Sequence, residues 1–358
     1  MMRPAPARHP RVPDPKKSGR ALLALLVTMA ALLLAACGGG SGSDTAGDGS
    51  NDEGGAGFPV SIKHALGTAE IPSKPQRIVT LGQGSTETAI ALGTIPVGVE
   101  KYDWAAGPDG HLPWVSEAVK EKGAELPKTF TGGTEPDIEA IAELEPDLIL
   151  ATWSGLTAEQ YKVLSDLAPT VAYPDKPWST NWDEQIRTIA TAMGQPADAD
   201  KLIGDIETTL ADAAKSRPEY ANTTFAYTYT DGPGTLGVFL PEEQRVAMLT
   251  KLGLKVAPGI AELPEAEGTD SAIIGLENAD KIAAADLMFT FYSDPATRAQ
   301  IEAQPLYAQI PAVQKKAVVA SDDNAFVTAS SMINPLTVPY AVEKYLPLID
   351  QAAANAGK

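Results

Sequence analysis

The chain is 358 residues long and carries 28 Lys+Arg against 46 Asp+Glu, a formal charge of −18, with length enough for two or three lobes and a sizeable core. Residues 1–36 hold six of the basic side chains (Arg3, Arg8, Arg11, Lys16, Lys17, Arg20) and one acid, Asp14, so everything beyond is more acidic still, which excludes nucleic acid as a main partner. One cysteine, Cys37, excludes intramolecular disulfides and cysteine-based metal sites, and three histidines, with His9 in the basic leader, are too few for a three-histidine site.

In chain order, a basic segment over 3–20 precedes the apolar run Ala21–Ala36 and the small-residue stretch Leu34-Ala35-Ala36-Cys37. A basic region, an apolar region and a small-residue cleavage site make a secretory signal, and the run is short for a spanning helix, which needs about 20 apolar residues. L-A-A-C resembles a bacterial lipobox, so 1–36 is expected to be a lipoprotein signal peptide and Cys37 the lipidated first residue. Residues 38–57 contain nine glycines and no large apolar side chain. With Cys37 they read as a flexible tether over 37–57, with an r.m.s. reach of about 25 Å.

From Phe58 the composition becomes globular. Alternation around Leu66-Gly67-Thr68 predicts a hairpin. Short apolar runs and helical stretches then alternate. Strands are expected at Arg77–Leu81, Pro96–Val99, Asp147–Thr152 and Thr170–Ala172, and helices at Ser85–Leu92, Val115–Lys122, Ile138–Leu144 and Thr157–Leu167. Helices at Trp182–Met193 and Ala197–Ser216 follow, the second with a stripe of Leu202, Ile206, Thr209, Leu210 and Ala213. Alternation resumes with strands at Thr224–Tyr229, Asp286–Phe291 and Ala317–Ala320 and helices at Glu243–Leu252 and Val338–Ala353. Two α/β halves joined by a helical segment are implied. A local pattern also recurs: Glu139 before Asp147 in the first half, Glu277 before Asp286 in the second.

No G-x-S-x-G, GxxxxGK[ST] or H-E-x-x-H motif is present. A triad would have to recruit His64 or His111. Gly82-Gln83-Gly84 before a helix could hold an anion, although glycines there also simply make the strand-to-helix turn. The aromatics are more informative. All five tryptophans, Trp104, Trp114, Trp153, Trp178 and Trp182, fall between 104 and 182, and Trp104, Trp153, Tyr102 and Tyr173 follow apolar strands. Tyr227, Tyr229, Phe291 and Tyr292 repeat this in the second half. Ligands of open α/β sheets bind beyond the strands' carboxyl ends, so the set favours a cleft between lobes, with Arg245 and Arg298 as candidate cations.

Three segments, PQRIVTLGQGSTETAIALGTIPVGV, PDIEAIAELEPDLILATWSG with LSDLAPTVAY, and SSMINPLTVPYAVEKYLPLID, together resemble the ferric-siderophore and cobalamin binding lipoproteins of ABC importers over roughly 75–350. The resemblance implies an α/β fold of two Rossmann-like lobes bridged by a single long helix, here Ala197–Ser216, with the ligand cleft between them. The expected domains are an N-terminal lobe over 58–180, a helical connection over 181–217 and a C-terminal lobe over 218–358. It further implies capture of a ferric siderophore, for which Tyr102, Trp104, Trp153, Trp178, Tyr229, Tyr292 and Arg245 are the candidate contacts. Iron would travel inside the chelate, so no cofactor or protein-bound metal is expected, nor is the chain expected to be an enzyme. Glu139 and Glu277 match the family's docking glutamates, one per lobe, for arginines of an ABC permease served by a cytoplasmic ATPase. Glu139 would equally complement a helix N-terminus, and Glu277 could pair with Lys281. The expected protein is a monomer, lipid-anchored on the extracytoplasmic side of the cell membrane. Haem or cobalamin is the alternative cargo, and a surface-anchored enzyme or cell-wall interaction protein the alternative of a different class.

Overall fold

The computed structural model describes residues 57–230, 232–266 and 269–358. The signal peptide expected over 1–36, the lipidated Cys37 and the tether up to residue 56 lie outside the described residues. The expected hairpin is present: β1 (Val60–His64) runs antiparallel to β2 (Gly67–Ile71), with Val60 opposite Ile71.

Strand and helix then alternate. β3 (Ile78–Thr80) leads to α1 (Ser85–Ala91), β4 (Gly98–Glu100) to α2 (Pro113–Glu121), β5 (Lys128–Phe130) to α3 (Ile138–Ala142), and β6 (Leu148–Leu150) to α4 (Ala158–Leu167) and β7 (Thr170–Val171). The five strands β5-β4-β3-β6-β7 form one parallel sheet. Strands covered on both faces read as unbroken apolar runs, and Ile78, Val79, Leu148, Ile149 and Leu150 are indeed fully buried. From β3 the chain steps outward to β4 and β5, then returns to β6 on the other side. The order reverses between β3 and β6, so the carboxyl ends of those strands frame the crevice where such sheets take ligands.

Two helices follow, α5 (Trp182–Ala192) and α6 (Pro196–Lys215). Pro196 opens α6 with its φ already helical, Asp198 sits in the first turn and Lys215 in the last, matching the helix dipole at both ends. At 1.5 Å per residue, α6 runs about 30 Å. It packs on α5 at one side, and on the later α7 (Gln244–Lys251) and α11 (Thr337–Ala356) at the other. Its buried stripe is Ala199, Ile203, Ile206, Leu210 and Ala213. Leu202 and Thr209 sit off that stripe, and the Thr209 hydroxyl donates back to the Asp205 carbonyl at 2.9 Å.

The second half begins with β8 (Thr224–Tyr229) and β9 (Gly237–Phe239), then α7, β10 (Lys255–Val256), β11 (Ser271–Ile273) and the 3-10 segment Leu276–Ile282. β12 (Leu287–Phe291), α8 (Pro295–Glu302), α9 (Pro311–Gln314), β13 (Val318–Ser321), α10 (Asn324–Ala329) and α11 complete it. The sheet order is β11-β9-β8-β12-β13, with β10 also beside β8. β8, β10, β12 and β13 pair in parallel, whereas β9 is antiparallel to both β8 and β11. The expected α/β class and two-lobed plan are therefore present, with a mixed second sheet.

The recurring acidic pattern has a shared structural meaning. Asp147, just before β6, accepts the backbone N–H groups of Gln76 (2.7 Å) and Arg77 (2.8 Å) at the start of β3. Asp286, just before β12, accepts the Thr224 N–H and hydroxyl, both at 2.9 Å, at the start of β8. In each lobe the aspartate ties its own strand to the neighbouring central strand. Partial burial raises the Asp286 carboxyl, but the Thr224 bonds and Lys358 at 3.0 Å outweigh it and hold the group below its ordinary value. A depressed carboxyl stabilises fully above its unfolded value, and that contribution is lost as pH falls through the lower folded value. Asp147→Ala and Asp286→Ala are each expected to cost about 1–2 kcal/mol in urea unfolding at neutral pH. An unchanged unfolding midpoint in either variant would remove that aspartate's role as a staple.

Candidate functional site

At the reversal point of the first sheet, β3 turns into α1 through Gly82-Gln83-Gly84. Gly82 (φ 76°) and Gly84 (φ 85°) are left-handed, and a Cβ on Gly82 would lie 1.8 Å from the Trp153 carbonyl oxygen. Glycine is required there by both backbone and space. The amides of this turn are already engaged. Gly82 N–H donates to Glu100 Oε2 (2.7 Å) and Gly84 N–H to Glu87 Oε2 (3.1 Å), while Glu87 Oε1 accepts from Trp114 Nε1 (2.8 Å). The chain's own carboxylates thus occupy the donors that an external anion would use, so the anion reading of the turn is not supported. Burial pushes both carboxyls up, more than these bonds pull them down.

The first wall of a cleft is built on this edge. Trp153, directly after β6, meets Trp178 edge-on, with ring centroids 4.9 Å apart at 68°. Trp178 has φ 59°, donates its N–H to the Ser154 carbonyl (3.2 Å) and covers Gly155, where a Cβ would come within 2.5 Å of its ring. Thr180 Oγ1 donates to the Thr152 carbonyl (2.6 Å), and Gln185 Nε2 donates to the Gln83 carbonyl (2.7 Å). Gln83, Trp153 and residues 178–181 form this wall.

The second wall comes from the other lobe. At the start of α7, the Glu243 carboxylate caps the Arg245 N–H (2.8 Å) and pairs with the Arg245 guanidinium. That guanidinium lies 4.7 Å from the Phe239 ring centroid and 5.8 Å from that of Phe291, within cation–π range. Arg245 Nε is buried without a hydrogen-bond partner. Glu242, Asp270, Ser331 and Met332 complete the wall of a cavity of about 360 Å³, within the range of small-molecule sites. Gln244 joins the two sides: its Nε2 donates to the Thr180 carbonyl (3.4 Å) and its Oε1 accepts from Ile333 N–H (3.0 Å). Burial, then the carboxylates of Glu265 and Glu242, raise the Asp270 carboxyl against the pull of Lys176.

Of the seven candidate contacts, the structure brings Trp153, Trp178 and Arg245 together on the cavity. Tyr229 stands one layer behind, stacked on Phe239 at 4.8 Å and sharing a hydrogen bond with Ser271 Oγ (3.0 Å). Tyr102 lines a narrower space under the Gly82–Gly84 turn. Burial and the Glu100 and Glu87 carboxylates hold its phenol well above the usual value. Trp104 is 47% exposed on the loop after β4 and outside the cavity lining. Tyr292 is a correction. Its hydroxyl bonds Tyr307 (2.7 Å) beneath Arg298, which itself pairs with Glu302 on α8. Successive strand residues face opposite sides, so Phe291 takes the Arg245 side and Tyr292 the other. Neither described histidine faces the cavity: His111 bridges the Asp109 and Pro127 carbonyls, and His64 packs on Tyr161.

Gln244, Asp270 and the Ser331–Met332 turn carry no sequence signal that singles them out, and Gln83 stands out only as part of the glycine turn, although Gln83 and the SSMIN segment lie inside stretches that carry the family resemblance. Glu139 is exposed in the first turn of α3, and Glu277 is exposed at the start of the 3-10 segment. A helix preceding a parallel strand runs antiparallel to it, which sets both glutamates towards the carboxyl-end side of their sheets. The expected Glu277–Lys281 spacing fails because the segment is 3-10 with a break at Asn278; Asn278 Nδ2 donates to Glu277 Oε1 instead, at 3.4 Å. Among the described residues, no cluster of three or more His, Cys, Asp or Glu could hold a metal ion, and no helix is long and apolar enough to cross a membrane.

A family model described as periplasmic binding protein matches residues 78–325. The chain is 29% identical over 282 residues to the ferric enterobactin-binding periplasmic protein FepB of Escherichia coli, covering 76% of this chain and 86% of that one. It is similar in structure to PiaA of Streptococcus pneumoniae in complex with ferrichrome: TM-score 0.74, 31% identity, 83% of this chain and 99% of that one. A solute-binding protein structure from Mycobacterium smegmatis has TM-score 0.69 and 26% identity, covering 82% and 98%.

The buried turn carboxyls carry a pH signature. Glu87 and Glu100 have folded values above their unfolded ones, so their contribution is fully present below the unfolded value and lost as pH rises through the folded value. Glu87→Gln is expected to flatten the fall of Tm between weakly acidic and neutral pH relative to the unmodified chain. An identical slope in both proteins would show that Glu87 titrates at its ordinary value.

Proposed function

The chain belongs to the periplasmic binding protein family, and from that premise we propose that it captures a ferric siderophore between its lobes and delivers it to an ABC permease, acting as a monomer on the extracytoplasmic side of the membrane. The observation that carries the reading is the pairing of walls: an aromatic edge, Trp153 on Trp178, faces a cation held over Phe239 and Phe291. Aromatic faces and a fixed guanidinium suit a bulky chelate, since stacking and cation–π contacts tolerate variable shape. Iron arrives with its coordination sphere already filled by the chelator, so the protein needs only to recognise the outer surface. The ligands named for FepB and PiaA support this cargo class.

Tryptophan fluorescence of the full-length chain, titrated with ferric and iron-free chelators, haemin and cobalamin, tests the cargo. Saturable quenching is expected at micromolar or tighter ferric siderophore, and Trp178→Ala is expected to weaken it by about tenfold to a hundredfold, the size of one well-packed aromatic contact. Saturable binding of haemin or cobalamin with no response to any ferric siderophore would replace the reading with the alternative cargo.

Delivery is proposed to run through Glu139 and Glu277, one exposed carboxylate per lobe, meeting arginines of the permease. Paired charges on separate lobes fix orientation and speed encounter. The small-residue site before Cys37 and the tether beyond it support lipid anchoring. In cells, Glu139→Ala with Glu277→Ala is expected to abolish uptake while ligand affinity stays normal, and Cys37→Ser to release the protein from the membrane fraction. Normal uptake by the double variant would refute the docking role.

A further inference from the structure

Beyond the cargo class, the cavity carries information about the charge of the chelate. Its lining holds Glu242, Glu243 and Asp270 against one cation, Arg245. Arg245 is already charge-paired: Glu243 caps its backbone N–H and pairs with its guanidinium, leaving Nε as an unpartnered donor but little net positive charge. The two charges cancel, which leaves Glu242 and Asp270 to set the sign of the field. Asp270 sits at φ 47°, immediately before β11, and Glu265 Oε1 accepts its N–H at 3.3 Å, so a third carboxylate backs it. Lys176 is the cation that partly offsets this group. The chain as a whole carries −18, so the long-range field has the same sign as the local one.

We propose that this cleft accepts ferric chelates of zero or positive net charge, the ferric hydroxamate class, and discriminates against anionic ones. The chemistry of the chelators makes this a sharp distinction. Hydroxamates are monoanions, so three of them around Fe(III) give a neutral complex, and a free amine on the backbone makes it a cation. Catecholates bind as dianions, and the corresponding complex is a trianion. A trianion would enter a cavity whose one guanidinium is already paired and whose uncompensated side chains are carboxylates. A neutral chelate instead presents amide and hydroxamate oxygens with apolar surface between them, which match Gln83, Gln244, Asn181 and the Trp153–Trp178 edge. The inference rests on the siderophore reading above.

The test compares ferrichrome and ferrioxamine B with ferric enterobactin and ferric dicitrate, titrated into the full-length chain at low and high salt. Ferrichrome or ferrioxamine B is expected to bind at least about tenfold more tightly than either anionic chelate, a margin that shrinks as salt screens the carboxylates. Glu242→Gln with Asp270→Asn is expected to narrow the margin by about tenfold, chiefly by improving the anionic chelates. Tighter binding of ferric enterobactin or ferric dicitrate, or a margin insensitive to both salt and the double variant, would overturn the charge inference while leaving siderophore capture standing. Binding of none of the four would overturn siderophore capture itself, and the charge inference with it.

Discussion

The spacing of the two lobes depends on one helix. α6 packs on α5 at one side and on α7 and α11 at the other, so a single continuous hydrogen-bonded rod couples both halves. Its buried stripe runs from Ala199 to Ala213, and the one glycine inside the helix, Gly204, lies in continuous α-helix between the buried Ile203 and Ile206. Trp114 on α2 and Tyr340 on α11 meet at 5.3 Å, and Gln244 reaches the Thr180 carbonyl. The walls therefore face each other across a distance set largely before any ligand arrives. Preorganisation of this kind lowers the ordering cost of binding.

Each lobe solves the same local problem in the same way. A central strand must be held in register with the strand that returns from the sheet's far side, and an aspartate does this in both: Asp147 for β3 and β6, Asp286 for β8 and β12. The glutamate that precedes each aspartate sits at the start of the preceding helical segment. Segment length places it at the opposite end of the lobe from the staple, on the side towards which the cleft opens. A structural carboxylate and an exposed one are thus separated by one helical segment, and their different surroundings follow from where that segment begins and ends.

Much of this was legible. Apolar runs bounded by turns located both central strands, and α6 lies within a residue of its expected limits because proline, first-turn acid and last-turn lysine all agree. The Glu–Asp repeat was readable as a pattern, but its meaning as a staple needed the partner strands. What was not legible has specific causes. β5 is as long as β3 and β6, and β10 as long as β7, but neither has the unbroken apolar run that marks β3 and β6: Lys128 and Thr129 of β5 and Lys255 of β10 are exposed. Tyr292 and Phe291 are adjacent aromatics at a strand end, and composition cannot say which of two neighbours faces the cleft. Leu202 and Ile203 pose the same problem on a helix. Trp153 and Trp178 were identifiable because the first follows a strand directly. Gln83, Gln244 and Asp270 are ordinary polar residues whose role comes entirely from the topology that gathers them.

The Arg245 pair shows why the polar part of such a site is costly to build. Its guanidinium sits over two phenyl rings, and a lone charge in that position would carry a heavy desolvation penalty. Glu243 offsets the penalty from two residues away, in the same turn where it caps α7, so one carboxylate serves the helix end and the cation together. The pairing still leaves Nε without a partner inside the protein, at a cost of about 1–3 kcal/mol for a buried unsatisfied donor. An acceptor beside Nε would recover part of that cost without displacing Glu243. The same arrangement that stabilises the cation therefore limits what it can offer a ligand: a hydrogen bond and a polarised aromatic face, with little net positive charge.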